Sequence, residues 1–433
     1  MTAFRRPIRP QVIRGAAATA AALTLFLAPA VHASAAPSRT PSVQATLPLG
    51  DAGLTETRST QTLARGVTLT TIVRGTEPAP PDQINTTTKG PWVVNVLTID
   101  PGAAGGHLTA VHGPDLARTE RTTDLVRQSG ALAGVNGSFF TFTASQQYPG
   151  DPVGLGLYGG KLLSEPTADP AETSFVVDAR TGKALVGRFS WTGGVRNRQS
   201  GATVPLEYLN HPPVVPAGCA QLPDPTTCTA TGDVVRFTPE FAATTPSGAG
   251  VEMVLDQRGC VVRTARTRGT ALTAGQTSLQ ATGRETATLL KAAGTGCVNI
   301  TSTLRDEKGA TVPVHSGLSG VNGRYRLTAG GEIVVPPGTG SFFDRNPRTI
   351  AGTTVDGKIV LGTVDGRMTT SVGTTMNETA AVADALGMRD AVNLDGGGST
   401  TLSVRGELVN RPSGTTERPV GDALVFLETP YRR

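Results

Sequence analysis

The stretch TMNETAAVADALGMRDAVNLDGGGSTTLSV, residues 375–404, packs a helix, a strand, a glycine-rich loop and a second strand into one short segment. Thr375 and Glu378 stand at capping-box spacing, so a helix is predicted to begin after Thr375, with its first N–H groups satisfied by side chains. Met376, Ala380, Ala383 and Leu386 fall along one apolar face. Gly387 sits where a C′ glycine ends a helix. The apolar run Ala391-Val392-Asn393-Leu394 then reads as a short strand. It delivers Asp395-Gly396-Gly397-Gly398-Ser399 to its end, ahead of a further strand, Thr400–Val404.

The same punctuation extends outward. Thr353 to Leu361 reads as a hairpin on an Asp356-Gly357 turn, and Asp365-Gly366 marks another turn. Val67–Arg74 and Trp92–Ile99 are strand-like, with a loop between Gly75 and Gly90. A short helix is predicted over Thr122–Ser129, stopped by Gly130. It feeds an apolar strand, Ala131–Val135, that ends in Asn136-Gly137-Ser138-Phe139-Phe140. Short strands follow at Leu155–Tyr158 and Phe175–Val177, and the middle of the chain, about 195–300, keeps that character around one helix, Arg284–Ala293. The fold class expected is α+β: a β-rich, mixed-sheet single domain over 61–430 with a few short helices. Residues 36–60, rich in Ser, Thr, Ala and Pro, read as a flexible lead-in.

Residues 1–35 read as a secretory signal. Arg5, Arg6, Arg9 and Arg14 precede a short apolar core, Gly15 to Leu27, and Ala33-Ser34-Ala35 offers a cleavage site. The core is too short to span a bilayer, so export without a membrane span is expected. The net charge of +5 falls to near +1 once those four arginines are removed, and no concentrated basic run remains. Nucleic acid is therefore not an expected partner. Four cysteines are left: Cys219, Cys228, Cys260 and Cys297. Their spacing and the scarce histidines do not make a zinc site, and disulfides are the economical reading in an oxidising compartment. Three pairings are possible. Cys219–Cys228 with Cys260–Cys297 is favoured, because the first pair brackets a Pro-rich loop that folds back easily.

Three consecutive glycines cost conformational entropy, and they serve either a backbone that approaches a ligand closely or a plain turn. Backbone N–H groups in such a loop can cradle a phosphate; in the turn reading, Asp395 caps it locally. Arg348, with Thr349 before the strand start Ile350-Ala351-Gly352, and Arg418, after a Pro/Ser/Gly loop, are either surface charges or guanidinium forks for phosphate. Glu378 is fully explained as a helix cap yet could serve a substrate, and Asp365 reads first as a turn residue. The histidines show no metalloenzyme spacing and Ser399 lies in no nucleophile elbow. Carboxylate chemistry is what the acids can support, with no cofactor or metal implied.

In order along the chain, Asn136-Gly-Ser-Phe-Phe140, Gly154-Leu-Gly-Leu157 with Gly160-Lys161, Arg348-Thr-Ile-Ala-Gly352, Val364-Asp-Gly-Arg367, Glu378-Thr-Ala380 and Asn393-Leu-Asp-Gly-Gly-Gly-Ser399 resemble the phosphodiester glycosidase family. The resemblance runs from about residue 60 to 428 and is loosest over 195–330. It implies hydrolysis of the C1–O bond of a sugar-1-phosphodiester, such as a phosphate-bound N-acetylhexosamine or a phosphodiester-linked glycopolymer. By motif position it implies Asp395, Glu378 and Asp365 as catalytic candidates. Asn136, Arg348, Thr349, Gly396, Gly397, Gly398, Ser399 and Arg418 would bind substrate. Ser138 stands where the family pattern has glycine. The rival reading is a non-catalytic cell-wall or polysaccharide-binding protein on the same fold.

Overall fold

The computed structural model describes residues 46–141 and 145–429. The signal expected over 1–35 lies outside the described residues. Strands dominate, arranged in five sheets, and the described residues hold three α-helices: α1 (Thr122–Gln128), α2 (Glu285–Ala293) and α3 (Met376–Ala385). All three stand where the sequence placed them. α3 opens on the expected capping box of Thr375 and Glu378, and Gly387 follows it at φ +76°.

The largest sheet has eight strands in the order Glu56–Ala64, Val67–Arg74, Trp92–Ile99, Ile359–Val364, Arg348–Thr354, Met388–Asn393, Arg326–Ala329 and Glu332–Ile333. Its central strands are buried on both faces. Ile350, Val360 and Ala391 join the core beneath α3, while the next residue of each, Ala351, Leu361 and Val392, joins the main core on the other side. Double burial explains why these strands read as unbroken apolar runs instead of an alternation. The main core is closed by two five-stranded sheets. One runs Glu407–Leu408, Leu402–Val404, Ala133–Asn136, Asp422–Glu428 and Gly106–His112. The other is built around Leu318–Arg324.

The middle of the chain forms a five-stranded and a three-stranded sheet around α2 with a separate apolar cluster that includes Met253, Leu279 and Leu289. Both favoured disulfides are present there, Cys219–Cys228 and Cys260–Cys297.

Two expectations need correction. Mixed pairing is confined to one sheet: among the described residues every strand pair is antiparallel except Tyr208–Leu209 with Val234–Phe237, in the five-stranded sheet of the middle of the chain. The flexible lead-in does not extend to residue 60. Leu47 and Leu49 are fully buried beside Trp92, and a strand begins at Glu56. Arg74 fastens this segment, donating from Nε to the Leu49 carbonyl at 2.6 Å.

Candidate active site

The glycine loop stands at a seam between two sheets. As the strand Met388–Asn393 ends, Leu394 N–H bonds the Thr349 carbonyl at 2.8 Å, still within the eight-stranded sheet. One residue on, Asp395 N–H reaches across to the Gly137 carbonyl at 3.1 Å, beyond the end of Ala133–Asn136. Asn136 sets the junction. Its Nδ2 donates to the Asp395 carbonyl at 2.7 Å, and its Oδ1 accepts from Thr349 Oγ1 at 2.7 Å and Thr401 N–H at 3.1 Å. Asn136 and Thr349 are thus fully buried and spent on bracing the loop.

A cleft of about 250 Å³ opens over this loop. Three guanidiniums face it: Arg348, Arg367 and Arg418. Asp395 is the acid among its described lining residues, and Phe139 and Phe342 supply an aromatic wall with ring centroids 6.1 Å apart.

Each arginine is held differently. Arg348 is buried, with Nε on the Thr374 carbonyl at 3.2 Å and Nη2 on the carbonyls of Phe342 and Asp344 at 2.7 and 2.8 Å. Its cation is anchored by neutral oxygens, so burial, and then repulsion from Arg367, lowers its pKa to about 10. Arg367 donates from Nε and Nη2 to Asn346 Oδ1 at 3.2 and 2.7 Å. Its left-handed backbone, φ +58°, follows the tight contact of Gly366 with Asn346 and Pro347. Desolvation, then Arg418, lowers its pKa. Arg418 lies directly over Gly398 and reaches Ser399 Oγ at 3.5 Å.

The close approach explains two of the glycines. A Cβ on Gly398 would collide with the Arg418 guanidinium, and one on Gly396 would stand 2.8 Å from the Pro347 carbonyl. Gly397 requires its own φ of +61°. Asp395 accepts the Gly396 N–H on Oδ1 at 3.0 Å and a bond from the Ser399 hydroxyl. Burial nevertheless outweighs these bonds and the nearby Arg418, raising its pKa to about 6. Ser399 itself is buried.

Asp365 and Glu378, the other two carboxylates expected at the site, do not line the cleft. Asp365 is buried and accepts from Asn410 Nδ2 and Arg411 N–H at 3.1 and 3.0 Å, bracing the loop that leads to Arg418. Glu378 caps α3 through Thr375 N–H at 2.8 Å and pairs with Arg345 at 2.9 Å. The sequence motifs contain Arg367 and Asn393 without assigning either to the site, and they do not include Asn346 or Phe342. Asn393 lines the cleft with its Oδ1 buried and unpartnered among the described residues.

Residues 249–427 match the phosphodiester glycosidase family. The resemblance read from the motifs therefore holds over that segment, which contains all three cleft arginines and Asp395 but not the motifs at Asn136 and Gly154. Phe139, from the other sheet, lies outside it.

A solved structure from Burkholderia pseudomallei K96243, described as an exported protein, is similar over 88% of this chain and 98% of its own, with 28% identity and a TM-score of 0.74. A hypothetical protein from Synechocystis shares the fold, with a TM-score of 0.64 and 19% identity over 83% of this chain and 62% of its own. An uncharacterized SPbeta prophage-derived protein of Bacillus subtilis is 39% identical over 82 residues, which are 19% of this chain and 13% of that protein. The chain thus matches only a small part of that relative's length.

Proposed function

We propose that this chain is an exported hydrolase that cleaves the C1–O bond of a sugar-1-phosphodiester in the cleft over Gly396–Gly398. The observation that carries the reading is the convergence of Arg348, Arg367 and Arg418 on one glycine loop whose acid is Asp395.

The charge balance suits this reaction. A phosphodiester carries one negative charge; when its C1–O bond breaks, the departing phosphate monoester gains a second, with a proton affinity near pH 6. Such a group leaves without needing a general acid. This accounts for a cleft that offers a single carboxylate among its described lining residues where paired acids were expected. The arginines gain most as the second charge develops, so they stabilise the transition state more than the bound substrate.

On the sugar side, positive charge develops at C1. Asp395, a carboxylate above about pH 6, would stabilise that cation and take the proton of the attacking water. The aromatic wall of Phe139 and Phe342 would receive the apolar face of the sugar. Asn136, Thr349, Ser399 and Asp365 act as positioning residues in this scheme, and Glu378 supports α3. Export is supported by the disulfides, by the likeness to a protein described as exported, and by the amino-terminal sequence. No described helix is long and apolar enough to cross a membrane.

A panel of α- and β-linked sugar-1-phosphodiesters, assayed for released reducing sugar, tests the reading. Release from at least one member, abolished by Asp395→Asn, is expected. Tight binding across the panel with no sugar released would instead make the protein a binder of phosphorylated polysaccharide.

A further inference from the structure

The middle of the chain carries a groove of about 600 Å³ that the proposed reaction does not use. It forms where the turn Asp256–Gly259 meets the strand Val298–Asp306. The Cys260–Cys297 disulfide ties these two segments together, and Val298 N–H bonds the Gly259 carbonyl at 2.8 Å. The backbone beneath it is therefore fixed by covalent and backbone bonds.

Three guanidiniums, Arg198, Arg236 and Arg258, line the groove against one carboxylate, Asp256. Asp256 is already engaged: its Oδ1 accepts the N–H groups of Arg258 and Cys260 at 2.9 and 2.8 Å, and its Oδ2 stands 4.0 Å from Arg258 Nε in a solvent-screened pair. Arg198 is pre-positioned by Asn299 Oδ1 at 2.7 Å and the Arg258 carbonyl at 2.5 Å. Arg236 differs. Its Nε is shut away from solvent with no hydrogen-bond partner among the described residues. The acid that acts on it, Glu240, is itself bonded to Lys161 at 2.6 Å. A buried donor left unpaired costs about 1–3 kcal/mol, and a turn of the Arg236 side chain toward an anionic oxygen in the groove would recover it.

We propose that this groove is a second binding site that takes a linear polyanion bearing repeated phosphate groups. Guanidinium forks match phosphate oxygens in bidentate geometry. No aromatic ring is among the residues that line the groove, so it offers no platform for stacked bases, and a base-free polymer fits it better than nucleic acid. Such a site would hold a polymeric substrate on the protein while its ends are processed elsewhere, and it exists whether or not the cleft performs the proposed reaction.

The test is calorimetric binding of inorganic polyphosphate to the exported protein, with orthophosphate, poly-glutamate and a single-stranded oligonucleotide as the comparison ligands, over about 50–200 mM salt. Polyphosphate should bind more tightly than the other three. Arg236→Gln and Arg258→Glu should each weaken it about 10-fold or more and lower the salt dependence by about one counterion. Turnover of a small sugar-1-phosphodiester should not change in either variant. The Arg258 side chain is 88% exposed, so its variant keeps the test valid if Arg236→Gln folds poorly. Wild-type affinity in Arg258→Glu, absence of polyphosphate binding at millimolar concentration, or tighter binding of poly-glutamate or the oligonucleotide would overturn the proposal. Polymer binding without any turnover would overturn the reaction proposed for the cleft and leave the groove standing.

Discussion

Asp395→Asn should make the protein more stable at alkaline pH while stopping its chemistry. Burial lifts the Asp395 pKa from 3.8 to about 6, so the folded protein holds that proton more tightly than the unfolded chain does. The stabilisation from this is complete below about pH 4 and is lost as pH rises through 6. Above pH 7 the native protein therefore carries a cost, about 3 kcal/mol from a shift of about two units. The carboxylate is partly open to the cleft, which screens the charge and leaves about 1–2 kcal/mol. An Asn of the same shape keeps an acceptor for the Gly396 N–H and removes the charge. Its Tm at pH 8 should rise by about 1–3 °C for a chain of this size, with no rise at pH 4. Turnover should fall by about 10²-fold or more, the scale of a lost acid or base. Because an Asn-Gly pair can deamidate back to Asp-Gly, intact mass is measured alongside activity. Thermal unfolding at both pH values and sugar release are the assays. A variant that keeps full turnover, or that loses stability at pH 8, would refute the assignment of Asp395 as the working carboxylate.

Four further outcomes are expected. Wild-type turnover should rise with pH along a limb centred near 6, as Asp395 loses its proton, and a profile flat from pH 4.5 to 7.5 would contradict this. Gly398→Ala should displace the Arg418 guanidinium and raise KM about 10-fold or more with little change in Tm, matching Arg418→Ala; steady-state kinetics and a melt separate the two effects. Glu378→Gln can still complete the cap but leaves the nearly buried Arg345 without its counter-charge. It should cost about 1–3 kcal/mol in a denaturant melt and leave kcat per folded molecule unchanged. Loss of Cys260–Cys297, which closes a 37-residue separation, should cost about 4 kcal/mol by chain entropy, more than loss of Cys219–Cys228 across 9 residues at about 3.

What the sequence disclosed was mostly local. The cap of Thr375 and Glu378, the stop at Gly387 and the turn at Asp356-Gly357 each depend on neighbours within four residues, and all were legible. So was the disulfide pairing, since one pair closes a short loop. Asp395 and its glycines stood out because a triple glycine demands a reason.

The cleft needed distant partners and was only half legible. Arg367 hid inside an Asp-Gly turn motif, and only the αL backbone that sends its side chain to Asn346 gives it a place in the site. Asp365 looked like a tip residue because Asp-Gly usually is, yet it is buried against Asn410, a contact 45 residues away. The antiparallel pairing could not be read, because strands buried on both faces lose the alternation that marks an open antiparallel sheet. Leu47 and Leu49 did carry a signal within the supposed lead-in: two leucines spaced to share a face, flanking Pro48.

The central claim is a claim about which bond breaks. Turnover of a defined sugar-1-phosphodiester in ¹⁸O-labelled water decides it, with mass spectrometry of both products. Cleavage of the C1–O bond places the label on the released sugar and leaves the phosphate monoester unlabelled, and this is the result expected of a cleft that stabilises a departing phosphate. Label found on the phosphate would mean attack at phosphorus, and would contradict the account.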